Sequence, residues 1–158
     1  MNVFLRPLRV EDAAISYLWR NNPEIWKYTG NKPDKEITLQ TETEWLSRVL
    51  LSKDEKRFAI CVGENEEYVG NVQLTDIDQS SAQFHIFIGN PKFHNKGIGT
   101  EATLLILNYA FNTLKIEKVW LKVNSNNLAA INSYKKCGFV EMSNDNGTIL
   151  MMILNDGK

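Results

Sequence analysis

Cysteine is scarce in this sequence: Cys61 and Cys137 are the only two in 158 residues. Their positions show no metal-ligand spacing, so both read as buried, reduced thiols and no metal is expected. No apolar run approaches 18 residues, which excludes a transmembrane helix. The N-terminus, MNVFLRPLRVEDA, lacks the charged-then-apolar layout of a signal peptide. Excess charge of either sign is missing too. The net charge is −1, and no Lys/Arg cluster stands out, which excludes electrostatic binding to nucleic acid or to an anionic membrane. There is no repeat, low-complexity tract or interdomain linker. What is present is ordinary for a globular chain: 43% apolar and 23% charged residues, enough to bury a core. The expectation is a single cytoplasmic domain over residues 1–158.

The chain reads as strand, two helices, three meandering strands, helix, strand, helix, two strands. Val3–Leu8 is the first strand, and Glu11 and Asp12 open a helix through about Arg20 with Ile15, Leu18 and Trp19 inward. Two prolines, several asparagines and a glycine make Asn21–Ile37 mostly loop. Thr38 or Thr41 caps a second helix carrying Trp45, Leu46, Val49 and Leu50. Arg57–Val62, Tyr68–Leu74 and Ala82–Ile88 form the meander. A helix over Thr100–Leu114 follows, with Leu104, Leu107, Phe111 and Leu114 on one face. Val119–Val123 is a strand. Asn126 or Asn127 caps a helix through Cys137, which Gly138 stops. Phe139–Met142 and Thr148–Leu154 close the chain as a hairpin across Ser143–Gly147. The strand–helix–strand crossover makes Ala82–Ile88 and Val119–Val123 parallel neighbours in an otherwise antiparallel sheet.

The chemistry-bearing stretch is His94-Asn95-Lys96-Gly97-Ile98-Gly99-Thr100. Only nine glycines occur in the chain, and two of them stand one residue apart ahead of a helix. Glycine is favoured where the backbone turns left-handed or another group comes close. A helix N-terminus presents unpaired amides and a positive dipole end to anions. The Walker loop is excluded, because Gly-Ile-Gly-Thr lacks its lysine. The dinucleotide fingerprint lacks its third glycine, since residue 102 is Ala. Gly-x-Gly alone is equally compatible with a tight packing turn.

Two motifs together say more. His94-Asn95-Lys96-Gly97-Ile98-Gly99 resembles the Arg/Gln-x-x-Gly-x-Gly/Ala loop of the GNAT superfamily of acyl-CoA-dependent N-acetyltransferases. Asn127-Leu128-Ala129-Ala130-Ile131-Asn132-Ser133-Tyr134-Lys135-Lys136-Cys137-Gly138-Phe139 resembles that family's later helix at every fixed position. Leu5-Arg6-Pro7-Leu8 with Asp12, and Tyr68-Val69-Gly70-Asn71-Val72, extend the likeness over nearly the whole chain. It is closest to the branch of ribosomal-protein N-terminal, spermidine and amino-sugar acetyltransferases.

The resemblance implies an α/β (α+β) fold: a mixed, mostly antiparallel sheet of about seven strands, about four helices, and one parallel pair at the coenzyme site. It implies acetyl-CoA as cosubstrate, its pyrophosphate on the loop from His94 through Asn95, Lys96, Gly97, Ile98 and Gly99 to Thr100. The pantetheine arm would lie between the parallel strands along the main chain of Phe87 and Ile88 and meet Asn127, which is equally a plain cap. Tyr134 matches the tyrosine that meets the coenzyme sulfur and serves as leaving-group acid; by itself it also reads as a core tyrosine. His94 departs from the family's Arg or Gln.

Gln83 stands where many relatives carry a glutamate base, and it cannot take a proton. His85, on the same strand face, is the alternative base, because its unperturbed pKa suits the task. Water-mediated deprotonation is the other option. By resemblance the first two helices and their loop wall the acceptor, with Trp19, Arg20, Asn21, Asn22, Glu24, Trp26, Tyr28, Glu44 and Trp45 as candidates. The expected reaction is acetyl transfer to a primary amine of a polyamine, an amino sugar or a peptide N-terminus, by direct attack in a ternary complex. A catalytically silent acyl-CoA sensor of the same fold is the alternative, and a homodimer is compatible with either.

Overall fold

The computed structural model describes residues 2–25 and 33–156. Seven strands form one sheet: β1 (Val3–Pro7), β2 (Lys56–Val62), β3 (Glu67–Thr75), β4 (Ser81–Ile88), β5 (Lys118–Asn124), β6 (Val140–Asp145) and β7 (Thr148–Leu154). Their spatial order is β1-β2-β3-β4-β5-β7-β6. Every neighbouring pair is antiparallel except β4 and β5, which run parallel as the crossover requires. Among the described residues no helix is long and apolar enough to cross a membrane.

Helices α1 (Ala13–Arg20) and α2 (Leu39–Val49) cover one face of the sheet. Helices α3 (Ile98–Asn108) and α4 (Leu128–Lys136) cover the other. Strand alternation sorts the side chains between two cores. Ile60, Val72, Leu74, Phe84, Val119 and Leu121 point to α3 and α4, where Ile98, Ala102, Ile106 and Ile131 meet them. Ala59, Cys61 and Tyr68 point to α1 and α2, where Ala13, Trp19 and Leu46 complete the smaller core.

The caps behave as expected. Thr38 Oγ1 accepts from the Thr41 amide at 3.1 Å, and Asn127 Oδ1 accepts from the Ala130 amide at 3.3 Å. Gly138 has φ +107°, the left-handed stop after α4. Cys61 and Cys137 are both buried and free.

Four expectations need correction. The inward stripe of α1 is Ala13, Ser16 and Trp19, whereas Ile15 and Leu18 are exposed. A polar residue takes the inward place because Ser16 has a buried partner: its hydroxyl donates to Glu42 Oε2 at 2.7 Å. On α3 the buried face is Ala102, Thr103, Ile106, Leu107 and Ala110. Leu104 is exposed, because the stripe is turned by about one residue. The helix begins at Ile98 and gives way to a π-helical turn, Tyr109–Thr113, closed by the Leu114 amide donating to the Tyr109 carbonyl at 3.0 Å. The last hairpin is tighter than expected: β6 runs to Asp145 and β7 starts at Thr148. Asn146 (φ +53°) and Gly147 (φ +84°) form a two-residue turn of the left-handed kind that an Asn-Gly pair favours.

Candidate active site

Strands β4 and β5 pair over three residues only: Ser81 with Lys118, Ala82 with Val119, Gln83 with Trp120. From Phe84 onward β4 continues to Ile88 and β5 to Asn124 with no ladder between them. The sheet is therefore parted from Phe84 onward. Backbone direction along β4 follows from two hydrogen bonds. The Lys118 amide donates to the Ser80 carbonyl at 3.0 Å, and the Gly89 amide donates to the Val69 carbonyl at 2.8 Å. By alternation, even-numbered residues aim their backbone groups at β5 and odd-numbered ones at β3. Ile86 and Ile88 thus turn theirs into the gap. Phe87, expected beside Ile88, turns its main chain to Asn71 on β3, and its ring meets Trp19 edge-on at 5.9 Å.

The glycine loop opens beside this gap. Asn95 (φ +59°) and Gly97 (φ +78°) are both left-handed and bracket Lys96, the geometry that turns successive amides to one side. Gly97 is the N-cap of α3, so Ile98, Gly99 and Thr100 fill its first turn, where amides lack intrahelical acceptors. A Cβ built at Gly97 or Gly99 would meet nothing within 4 Å. The glycines thus leave open space over free amides at a positive helix end. That cradle fits the pyrophosphate of a coenzyme A, which the amides of residues 96–100 would hold.

His94 braces the loop: its Nε2–H donates to the Ile88 carbonyl at 2.7 Å. The imidazole joins the anion cradle to the strand lining the gap. Thr100 makes a second link, its hydroxyl lying 2.8 Å from the Ser133 hydroxyl on α4.

Tyr134 follows Ser133 and lies on this same face. Its ring packs edge-on against Phe84 at 5.6 Å and against Phe139 at 5.9 Å. Its hydroxyl has no hydrogen-bond partner among the described residues, and burial pushes its pKa up to about 12. It is a proton-bearing donor throughout the physiological range. Asn127, at the start of the same helix, spends its side-chain oxygen on the cap.

His85 and Gln83 project from the opposite face of β4, toward α1 and α2. His85 is half-buried, with Nε2 3.0 Å from Thr75 Oγ1. Burial and, secondarily, the Arg57 cation lower its pKa from the usual 6.5, so the imidazole is neutral at pH 7. Tyr134 and His85 therefore stand on either side of the strand that borders the gap.

The aromatic residues of the α1/α2 face mostly pack. Trp19 is buried between Tyr68 (4.7 Å) and Phe87, and a Cβ at Gly89 would lie 2.0 Å from its ring. Trp45 carries the guanidinium of Arg20 at 4.8 Å and that of Arg57 at 5.1 Å. Trp26 and Tyr28 lie outside the described residues. Sequence reasoning did not foresee that this face holds two buried carboxylates, Asp12 and Glu42. Asp12 receives Arg6 through two bonds of 2.8 and 2.9 Å, and Glu42 receives Arg20 at 3.1 Å besides Ser16. Asn71, named only within the Tyr68–Val72 likeness, is a polar residue buried inside the apolar run of β3.

A mixed sheet parted between its parallel strands, with an anion cradle opening beside the gap, defines the class as an acetyltransferase fold. Residues 2–140 match the family model described as the acetyltransferase (GNAT) domain, and the chain belongs to the GNAT family of N-acetyltransferases. It is 30% identical over 139 residues to the spermidine N(1)-acetyltransferase of Escherichia coli K12, covering 87% of this chain and 73% of that one. It is 32% identical over 147 residues to a probable N-acetyltransferase, YjcK, of Bacillus subtilis, covering 87% and 80%. The structure of spermidine N-acetyltransferase from Vibrio cholerae in complex with CoA and spermine superposes with a TM-score of 0.86 at 27% identity, covering 97% of this chain and 95% of that one.

Proposed function

We propose that the protein moves an acetyl group from acetyl-CoA to a primary amine by direct attack within a ternary complex. The observation that carries this reading is the parting of β4 from β5 at Phe84, with the open glycine cradle at one end and Tyr134 beside it. The amides of residues 96–100 hold the pyrophosphate. The gap-facing backbone of Ile86 and Ile88 aligns the pantetheine arm as an added strand, with the Ile88 carbonyl already engaged by His94. The amine approaches from the α1/α2 face, so the two substrates meet through the sheet.

When bound, acetyl-CoA supplies the activated acyl carbon. A bond forms from the amine nitrogen to that carbon, the carbon–sulfur bond breaks, and the nitrogen loses one proton. An alkyl amine of pKa near 10.4 is only about 0.1% neutral at pH 7.4, so the ammonium gives up a further proton before attack, and an acceptor for it accelerates the step. His85, neutral and on the amine's face, is placed to take it directly or through water. Tyr134 serves the sulfur. Burial raises its pKa to about 12, above that of a free thiol, so full proton transfer to the sulfur is disfavoured. Its contribution is a hydrogen bond that strengthens as charge develops on sulfur.

Polyamine, amino sugar and peptide N-terminus are the acceptor classes to compare; relatives named for spermidine put a polyamine on that panel. The test is release of free thiol from acetyl-CoA across the panel. Amine-dependent release is expected. Saturable coenzyme binding without release for any amine would replace the enzyme by a sensor.

A further inference from the structure

We infer that Asn71 is a specificity-determining residue of the acceptor site, and that it selects a primary amine bearing an oxygen on the neighbouring carbon, a 1,2-amino alcohol. The inference rests on the amine-transfer reading and deepens it.

Arg6, Ala59, Asn71 and Phe87 stand opposite one another in a single row across β1 to β4, so their side chains share the α1/α2 face. Asn71 is 7% exposed. A side-chain amide so placed is costly unless it is bonded. Half of it is: the Tyr68 hydroxyl donates to Oδ1 in a short bond. Tyr68 is itself fixed, buried against the Trp19 ring with the Arg6 guanidinium 5.5 Å over its face. Burial keeps its phenol protonated and therefore a donor. This orients the amide. Oδ1 is committed to Tyr68, and Nδ2 points away with two N–H groups that have no partner among the described residues. Every polar side-chain atom shut off from solvent there does have a partner, so Nδ2 reaches the surface of the acceptor face.

The neighbour of Asn71 across the ladder is Phe87, which lies between the two residues whose backbones line the gap. Strand spacing of about 4.8 Å separates Asn71 from Phe87 on β4, the strand that borders the gap, so the amide lies on the α1/α2 side across one strand from that gap. A rigid N–H donor there needs a lone pair on the substrate. A polyamine offers none beyond its reacting nitrogen, because its other amines are protonated at neutral pH. The two buried carboxylates of this face are also spent, Asp12 on Arg6 and the Arg9 amide, Glu42 on Arg20 and Ser16. Neither is free to hold a second ammonium, and the other carboxylates among the acceptor candidates, Glu24 and Glu44, are exposed, where a paired ammonium gains little. A hydroxyl on the carbon next to the amine satisfies the donor.

The experiment compares trans-2-aminocyclohexanol with cyclohexylamine, which differ by that hydroxyl, and both with spermidine. Each is assayed by thiol release from acetyl-CoA with the wild type, Asn71→Asp and Asn71→Leu. Asn71→Asp keeps an oxygen for Tyr68 and removes the donor. The wild type should prefer the amino alcohol by roughly 10²-fold in kcat/KM, the scale expected when a site built to bond a hydroxyl meets an analogue without one. That ratio should collapse toward one in both variants. A wild type that uses spermidine better than the amino alcohol, shows no preference within the pair, or keeps its ratio in both variants overturns the role of Asn71. Absence of thiol release with every amine instead counts against amine transfer. In that event thermal shift with CoA present reads Asn71 separately. Protection by the amino alcohol in the wild type but not in Asn71→Asp supports the role, and equal shifts, including none, overturn it.

Discussion

Tyr134 packs edge-on against Phe84, ring centroids 5.6 Å apart, and Phe84 is the residue at which β4 leaves β5. The phenol is thus held at the point where the sheet opens. Removing its hydroxyl leaves both ring contacts in place. Tyr134→Phe should lower kcat roughly 10- to 100-fold with little change in coenzyme affinity, because the lost bond acts on charge that develops in the transition state. Wild-type kcat under chemistry-limited conditions would remove the hydroxyl from the mechanism. With its folded pKa raised to about 12, Tyr134 also favours the native state below pH 10. That contribution fades as pH climbs from about 10 through about 12. Tyr134→Phe should flatten this part of a stability–pH curve.

The contact between Gly89 and Trp19 gives a stability prediction. A methyl at residue 89 would sit 2.0 Å from Cδ2 of a tryptophan that Tyr68 and Phe87 already hold. A ring that yields would give up its contacts with Tyr68 and Phe87. Gly89→Ala should destabilise by about 1–3 kcal/mol or more, read as a fall in urea midpoint at constant slope. An unchanged midpoint would mean that the ring moves freely, contrary to its packing.

The proposed role of His85 gives a prediction for the acid limb of the rate profile. Its pKa lies below 6.5, lowered by burial first and by Arg57 second. If it takes the amine's proton, kcat/KM should rise through an ionisation below 6.5, and His85→Gln should erase that ionisation and cut the rate by roughly 10²-fold or more. Profiles that superimpose would assign deprotonation to water. Linkage gives a second readout. A depressed histidine stabilises the native state above its unfolded pKa and loses that effect as pH falls through the folded value. The His85→Gln variant should therefore lose less stability on acidification below about 6.5.

Much of this architecture was legible in the sequence. Caps, the crossover and the glycine loop are local signals, and Thr38, Asn127, Gly97 and Gly138 carry them in single residues. The faces of α1 and α3 were not legible, because a helix with apolar residues on several sides does not declare which side the sheet will take. Ser16 shows the reason: its inward place depends on Glu42, 26 residues away. The same holds for Asn71, whose orientation comes from Tyr68 and whose neighbour Phe87 comes from strand register. The brace from His94 to Ile88 joins a side chain to a main-chain carbonyl, a contact that no residue pattern encodes.

The central claim is that acetyl-CoA is held by the backbone of residues 96–100, and Gly99 tests it most directly. A Cβ there meets nothing within 4 Å, and its backbone is helical, so a larger side chain can be carried without a clash. The measurement is calorimetric titration of acetyl-CoA into the wild type and Gly99→Leu, with far-UV circular dichroism to confirm that both are folded. The wild type should bind one equivalent, and Gly99→Leu, natively folded, should show no saturable heat because its side chain fills the phosphate cradle. Equal affinity in the two proteins would contradict the account.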